Sequence, residues 1–208
     1  MFEEILSPEA INVVESLSPH LDTFYLAGGT GLALQLGHRR SDDLDFFTDH
    51  MFNTDSILEK ISADKVFFTE VGTVHCAVKG IQLSFLYYQL PLIQPFLTWR
   101  GIKIAHLKDI MAEKIKTISQ RGSKKDFIDL YTVLKLKISI KDACDLFKKR
   151  FKALDINYHH VLKSLIFFED AEKEPNPFMF LTGEDWKWGN IKSFFMNNIN
   201  TFEQELGL

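Results

Sequence analysis

The sequence predicts an α/β fold of the α+β type, with a mixed β-sheet and flanking helices in the first half and a helical bundle in the second. Short runs of β-branched and aromatic residues, separated by glycines, are concentrated before residue 105. Beyond that point the apolar residues recur with the helical period. We therefore expect two domains, residues 1–104 and residues 105–208.

Composition and charge exclude several classes of protein. The chain has 208 residues, of which 46% are hydrophobic and 19 are Phe, so it can form a substantial core. A net charge of −4 excludes a uniformly basic surface, although local basic patches can still steer a phosphate backbone. The two isolated cysteines, the acidic start and the lack of a membrane-length apolar run predict a cytoplasmic protein without a membrane partner.

The first half reads as helices and strands bounded by turn residues. Ser7-Pro8-Glu9 has the cap, proline and acid of a helix start, and Gly37 is a typical helix end. Gly72 and Lys79-Gly80 separate three strands, which indicates an antiparallel meander. The expected helices cover residues 8–17, 30–36 and 54–61, and the expected strands cover residues 24–27, 44–47, 66–70, 74–78, 81–88 and 102–104.

The second half contains only helical patterns. Gly122 ends one helix, and Ser123 and Ser139 are in position to cap the next two. The segment 172–177 is polar and contains prolines, so it reads as a loop. The expected helices cover residues 106–121, 124–135, 139–151 and 158–169, and one or two more cover residues 184–206.

The stretch from Phe24 to Phe47 carries the chemistry that the pattern predicts. Gly28-Gly29 lies where a strand ends and a helix begins, where glycine lets the backbone approach a phosphate and the helix N-terminus favours an anion. Thr30 is expected either to cap that helix or to contact a phosphate oxygen. The residues His38, Arg39 and Arg40 precede two acids and are candidates for phosphate contacts.

Asp43 and Asp45 are the candidate metal ligands. Residues two apart on a strand point to the same face, with Cα atoms roughly 6.6 Å apart. Two carboxylates this close repel one another without a cation, and together they can bind Mg²⁺ for displacement at phosphorus. Leu44 and Phe46 would anchor the opposite face of the strand in the core.

Neither element is specific alone, because a glycine pair is usually a turn and Asp-x-Asp is common on solvated strand edges. In combination, LAGGTGLALQLGHRRSDDLDFF resembles the nucleotidyltransferase fold, and specifically the AbiEii/AbiGii-type toxin nucleotidyltransferases. A second segment, HLKDIMAEKIKTISQRGSKKDFIDLYTVLK, resembles the downstream signature of the same family. It has a helix with a central Lys, then Arg-Gly, then Lys-Asp-Phe-x-Asp-Leu-Tyr.

The resemblance implies a site residue by residue. It implies a phosphate-binding turn, two metal ligands for Mg²⁺ or Mn²⁺, and a nucleotide-binding and active-site set in the helical half that completes the cleft for the nucleotide and the acceptor. The turn is Gly28, Gly29 and Thr30, the ligands are Asp43 and Asp45, and the helical set is Lys114, Arg121, Lys125, Asp126 and Asp129.

The spacing of the helical set can also be considered by itself. Lys114 and Arg121 lie two turns apart on nearly one face, which suits a polyphosphate gripped at two points. Asp126 and Asp129 share a face, where one of them could orient an acceptor hydroxyl, act as a general base or hold a cationic side chain. The alternative is a solvated face on which Lys125 and Asp129 form an ordinary surface pair.

The sequence departs from the fold's pattern at one position. Many enzymes of this fold have a third carboxylate on a neighbouring strand, and the residue that aligns best there is Ser84, a poor metal ligand. Glu70 on a nearby strand is a possible substitute. Without a base on the sheet, Asp126 or Asp129 becomes the better candidate for that role, and a weakened or inactive enzyme remains an alternative.

The resemblance implies that the protein transfers NMP from an NTP to an acceptor hydroxyl. The implied acceptor is RNA, such as the 3′ end of tRNA, and the implied setting is a toxin–antitoxin or phage-defence pair with a cognate antitoxin. One alternative is a degenerate member that binds nucleotide or a partner without turnover, and another is transfer to a small molecule or a protein. The basic run 148–152 is either a solvated helix end or an RNA backbone contact.

Overall fold

The computed structural model describes residues 1–208 and divides into two compact units, Met1–His106 and Leu107–Leu208. The boundary that the sequence suggests, between residues 104 and 105, lies close to this division.

The first unit is built around a seven-stranded mixed sheet with the strand order β3-β4-β5-β2-β1-β7-β6. The strand β2 is antiparallel to β1 and parallel to β5, and β1 is parallel to β7. The strands β3, β4 and β5 form the expected antiparallel meander. The strands are β1 Tyr25–Leu26, β2 Leu44–Thr48, β3 Lys65–Glu70, β4 Thr73–Val78, β5 Ile81–Tyr87, β6 Leu97–Trp99 and β7 Ile102–Ile104, and the helices are α1 Pro8–Leu17, α2 Gly28–Leu36 and α3 Thr54–Ile61.

Alternation along β2 turns its fully buried residues to one face of the sheet. Leu44 and Phe46 on β2 are fully buried and belong to one core with the inward residues of α1 and α3. Phe46 stacks on Phe85 of β5 with ring centroids 5.5 Å apart. Asp45 lies between these two core residues in the strand, so its side chain projects from the opposite face.

β6 is the strand that the sequence pattern does not predict. Leu97–Trp99 pairs antiparallel with β7 through a turn at Arg100 and Gly101, both of which have positive φ angles of 46° and 79°. Two left-handed central residues are typical of a tight hairpin turn. A three-residue strand after two prolines is too short to show an alternating pattern, which explains why only β7 was expected.

The second unit is entirely helical. The side chains of Ser123, Ser139 and Asn157 cap three of its helices by accepting a hydrogen bond from a backbone N–H three residues later. The helices are α4 Leu107–Gln120, α5 Lys124–Leu136, α6 Ile140–Arg150, α7 Tyr158–Ser164, α8 Glu169–Lys173, α9 Trp188–Asn197 and α10 Ile199–Leu206.

Two boundaries in this unit differ from the expectation. The helix expected over residues 158–169 ends at Ser164, and a separate helix, α8, covers Glu169–Lys173 and overlaps the first two residues of the expected loop 172–177. None of the helices combines the length and the hydropathy that crossing a membrane requires.

Candidate active site

The glycine pair forms the first residues of α2, two residues before the helix start that the sequence predicts. Gly28 has a φ of +60°, and a Cβ atom added there would lie 2.6 Å from Oδ2 of Asp45. A Cβ on Gly29 would collide with the guanidinium group of Arg39. The two glycines therefore leave room for a carboxylate and a guanidinium beside the start of the helix. The N-cap residue of this helix, Ala27, makes no side-chain capping hydrogen bond.

The two candidate metal ligands lie at the start of β2. Asp43 is exposed and immediately precedes β2, so only Asp45 of the two lies within the strand. Asp45 is the second residue of β2 and is half-buried, and its carbonyl accepts a hydrogen bond of 3.0 Å from the N–H of Ala27. No three His, Cys, Asp or Glu side chains come together as a metal site, so the chain offers these carboxylates only as a pair.

Thr30 holds the loop that carries Asp43. Its hydroxyl is buried, donates to the carbonyl of Asp43 and lies 2.8 Å from the hydroxyl of Ser41. The capping role expected for Thr30 is wrong, because α2 has already begun at Gly28. The side chain instead fixes the backbone next to the first carboxylate.

The two adjacent arginines have different environments. Arg40 is exposed and its guanidinium lies 2.9 Å from Asp42, whose other oxygen accepts from the N–H of Ser7 at 2.7 Å. Burial raises the pKa of Asp42, but these two partners outweigh burial and leave the pKa below its usual value. Arg39 is buried, donates to the carbonyl of Arg40 at 3.1 Å and lies against Gly29. Arg39 is therefore the arginine at the glycine turn, and the sequence alone does not distinguish it from Arg40.

Ser84 lies directly beside Asp45. The parallel pairing of β2 with β5 places the two residues in register, and the antiparallel pairing of β5 with β4 places His75 next in the same row. The hydroxyl of Ser84 lies 3.0 Å from Nδ1 of His75. The position at which related folds have a third acid is thus occupied by a serine hydrogen-bonded to a histidine.

Glu70 does not replace the missing acid. It lies at the end of β3, where it pairs with Thr73 of β4. The sheet order separates β3 from β2 by two intervening strands, which corresponds to roughly 14 Å at ordinary strand spacing. The first unit therefore has no third carboxylate in the row of Asp45.

Four of the five residues expected in the second unit form one ion-pair cluster, of which three are buried. Lys114 on α4 lies 2.7 Å from Asp126 and 2.7 Å from Asp129, both on α5. Arg121 lies 2.9 Å from Asp126, and the side chain of Arg121 is 65% exposed. Asp126 and Asp129 are fully buried, and Lys114 is nearly so. The i, i+3 spacing on α5 turns both carboxylates toward the same lysine.

Asp126 is held in its charged form. Burial raises its pKa, but the charge of Lys114 and the hydrogen bond from Arg121 outweigh burial, so the pKa lies below its usual value. Ser123 donates a further hydrogen bond of 2.9 Å to the same carboxylate. The surface pair considered between Lys125 and Asp129 is wrong, because Lys125 is exposed and Asp129 pairs with Lys114 in the interior.

The basic run 148–152 is not one continuous charged surface. Arg150 is buried, and its guanidinium lies 3.0 Å from Asp109 and 2.6 Å from Glu113. Phe151 is also buried, whereas Lys149 and Lys152 are exposed. Any contact of this run with a nucleic-acid backbone therefore excludes Arg150.

Comparison with known proteins identifies the family. The family model described as nucleotidyl transferase AbiEii toxin, type IV TA system, matches residues 13–79 and 80–202. The chain belongs to the AbiEii nucleotidyltransferase toxin family. The match spans both units, and the family description makes the protein a nucleotidyl-transfer toxin by class.

Individual proteins similar to this AbiEii family member include one sequence relative and two solved structures. It is 37% identical over 202 residues to the uncharacterized protein aq_aa25 of Aquifex aeolicus (strain VF5), covering 93% of this chain and 94% of the relative. The crystal structure of JHP933 from Helicobacter pylori has a TM-score of 0.54 at 18% identity and covers 96% of each chain. A second H. pylori structure, described as a candidate nucleotidyltransferase, has a TM-score of 0.56 at 17% identity and covers 95% of this chain and 98% of that one. These structures confirm the nucleotidyltransferase-like fold.

Proposed function

We propose that this protein transfers NMP from an NTP to a hydroxyl group of RNA, with the 3′ end of tRNA as the acceptor. It does so as the toxin of a toxin–antitoxin or phage-defence pair. The acceptor hydroxyl attacks the α-phosphate, the new phosphodiester bond forms, the hydroxyl proton is released and pyrophosphate leaves. Membership of the family supports the transfer of a nucleotide.

The observation that carries this proposal is the packing of Asp45 against Gly28. A carboxylate for a cation and a helix start for phosphate adjoin one another, with only the missing Cβ atom of Gly28 between them. Ordinary turns and solvated strand edges do not require this closeness. It supports a common ligand for both groups, namely a metal-bound polyphosphate.

The carboxylate pair suits Mg²⁺ or Mn²⁺. Mg²⁺ usually retains several waters and is bound by one or two carboxylates together with substrate phosphates, so a third protein ligand is not required. Asp43 is exposed and Asp45 is half-buried, which leaves oxygen atoms accessible at the start of β2. A cation held by these two residues would neutralise charge on the phosphates and on the attacking and leaving oxygens.

The remaining residues around the carboxylate pair bind the phosphates or hold the neighbouring loop in position. The amides at Gly28 and Gly29 and the guanidinium of Arg39 donate hydrogen bonds to the phosphates, while Thr30 fixes the loop at Asp43. Arg40 binds Asp42, and we assign it to that loop rather than to the nucleotide.

In the second unit we propose Lys114, Arg121 and Lys125 as nucleotide-binding cations. Asp126 and Asp129 would orient the first two of these rather than accept a proton. The low pKa of Asp126 supports that assignment, since it makes this carboxylate a weak base.

Label transfer tests the proposal. The protein is incubated with each α-³²P-labelled NTP, Mg²⁺ and total RNA, beside the variants Asp43→Asn and Asp45→Asn. Asp49→Asn is the matched control, because Asp49 is an exposed acid just beyond the other end of β2 and pairs with His50. We expect labelled RNA from the wild type and from the control, and none from the other two variants. Loss of label with all three variants, or with none, contradicts the proposed site.

A second candidate function follows from Ser84. Because the row of Asp45 lacks a third acid, the protein could bind a nucleotide or a partner without turnover. Mg²⁺-dependent NTP binding without transfer to any acceptor would support this reading. Label found only on a small molecule or on a protein would mean that the enzyme transfers the nucleotide to that acceptor and not to RNA.

The toxin role is tested separately in cells. Induced expression of the wild type should arrest growth, and expression of Asp45→Asn should not. Co-expression of the adjacent gene should relieve the arrest if that gene encodes the cognate antitoxin. Equal growth arrest by both proteins would contradict a toxic role for nucleotidyl transfer.

A further inference from the structure

The edge strand β3 is the most exposed regular element of the first unit. All six of its residues are exposed, and it lies at the end of the sheet with β4 as its only neighbour. Its apolar side chains remain 47% exposed at Val66, 51% at Phe67 and 48% at Phe68, and Val71 just after it is 86% exposed. An exposed apolar edge strand is a template for pairing with another strand.

A bulge sorts the side chains of β3 onto two faces. The register pairs Lys65 with Ala77, Phe68 with His75 and Glu70 with Thr73, and it shifts by one residue between Val66 and Phe68. The partners 77, 75 and 73 alternate along β4, so they share one face. Consequently Lys65, Phe68 and Glu70 also share one face, although residues five apart on a regular strand would lie on opposite faces.

We propose that β3 pairs antiparallel with β3 of a second copy of this chain. A two-fold axis at Phe68 places this residue opposite its own copy and Lys65 opposite Glu70 of the other chain, twice by symmetry. The same register places Val66 opposite Thr69 on the other face. Opposite charges, paired aromatic rings and paired β-branched side chains are each favourable across antiparallel strands.

Charge complementarity indicates that the partner strand of β3 is β3 of a second copy of this chain. Lysine and a bulge on an edge strand commonly prevent association, because they leave a buried charge or a distorted ladder in the partner. In the self-paired register each Lys65 meets an acid, and the bulge of each copy lies opposite the regular step from Phe68 to Thr69 of the other, one on each side of the axis. The five aligned positions of β3 are therefore complementary to themselves, without a third component. This inference is independent of the proposed enzymatic function.

Charge reversal at the two ends of β3 tests the pairing. Sedimentation velocity of the full chain over a range of concentrations should show a concentration-dependent dimer. The variants Lys65→Glu and Glu70→Lys each place like charges opposite one another at two positions, and each should weaken dimerisation by at least about tenfold. The double variant exchanges the charges and should restore the wild-type dissociation constant.

Two further variants complete the design. Phe68→Glu introduces acids on the two-fold axis and should give a monomer, whereas Phe178→Glu changes another phenylalanine, 65% exposed in the second unit, and should leave the dimer intact. Thermal unfolding of each variant checks that the fold is retained. A wild type that stays monomeric at every concentration overturns the proposal, and so does a double variant that dimerises no better than its single parents.

Discussion

Replacing Gly28 with alanine should separate catalytic geometry from stability. Gly28 has a φ of +60°, a conformation that costs a residue with a Cβ atom roughly 1–2 kcal/mol. The new Cβ would lie 2.6 Å from Oδ2 of Asp45, so this carboxylate must move. Its terminal atoms can swing away at little cost in stability. However, a misplacement of about 1 Å in a catalytic group can lower the rate by about 10²-fold.

The chain provides a matched control in Gly80. This glycine has a φ of +80°, and a Cβ there would meet nothing within 4 Å. Gly80→Ala therefore carries the same backbone cost without displacing a carboxylate. Both variants should lose roughly 1–2 kcal/mol in the free energy of unfolding, measured by urea denaturation.

Only Gly28→Ala should lose activity. Label transfer by Gly28→Ala should fall by about 10²-fold, while Gly80→Ala should transfer label at nearly the wild-type rate. If the first variant retains more than half of the wild-type rate, the contact between Gly28 and Asp45 does not position a catalytic group. If both variants lose activity equally, the effect is due to strain or folding and not to the site.

Three other predictions concern the remaining polar groups. Arg39→Lys should lower label transfer more than tenfold, whereas Arg40→Lys should change it less than about twofold; equal losses would contradict the separate roles of the two arginines. The pKa of Asp126 is lowered in the folded protein, so its ion pairs stabilise the second unit above the usual aspartate pKa and lose that effect as the pH falls through the folded value. Asp126→Asn should therefore cost about 3 kcal/mol at pH 7 and flatten the stability profile below about pH 4, as followed by urea unfolding across pH; an equally steep profile would contradict this account. Ser84→Asp should reduce the Mg²⁺ concentration needed for half-maximal activity, whereas Ser84→Ala should leave it unchanged; the opposite order would mean that Ser84 itself contributes to the metal site.

Periodicity predicts the elements that bury a face. The alternation of Leu44, Asp45 and Phe46 predicts β2, because a strand at the centre of a sheet must turn its apolar residues to one side. The caps at Ser7, Ser123 and Ser139 are local, so the sequence also places the starts of their helices well. The register of Ser84 with Asp45 agrees with the alignment that the family resemblance suggests.

Contacts between distant residues could not be predicted in this way. Neighbouring residues can share a charge and still have opposite environments, as Arg39 and Arg40 do, because the path of the loop decides which one turns inward. The pairing of Lys114 with Asp126 and Asp129 depends on how α4 packs against α5, whereas the spacing of Lys125 and Asp129 suggested a local pair. The bulge at Phe67 likewise has no signature among six consecutive strand-forming residues.

The most direct test of the central claim is transfer of label to the end of a defined acceptor. Purified tRNA is incubated with α-³²P-labelled NTP and Mg²⁺, with and without prior periodate oxidation of its 3′-terminal ribose. Transfer through the terminal hydroxyl predicts labelled tRNA with the wild type, none with Asp45→Asn, and none when the acceptor has been oxidised. Equal labelling of intact tRNA by the wild type and by Asp45→Asn would contradict the account of the site.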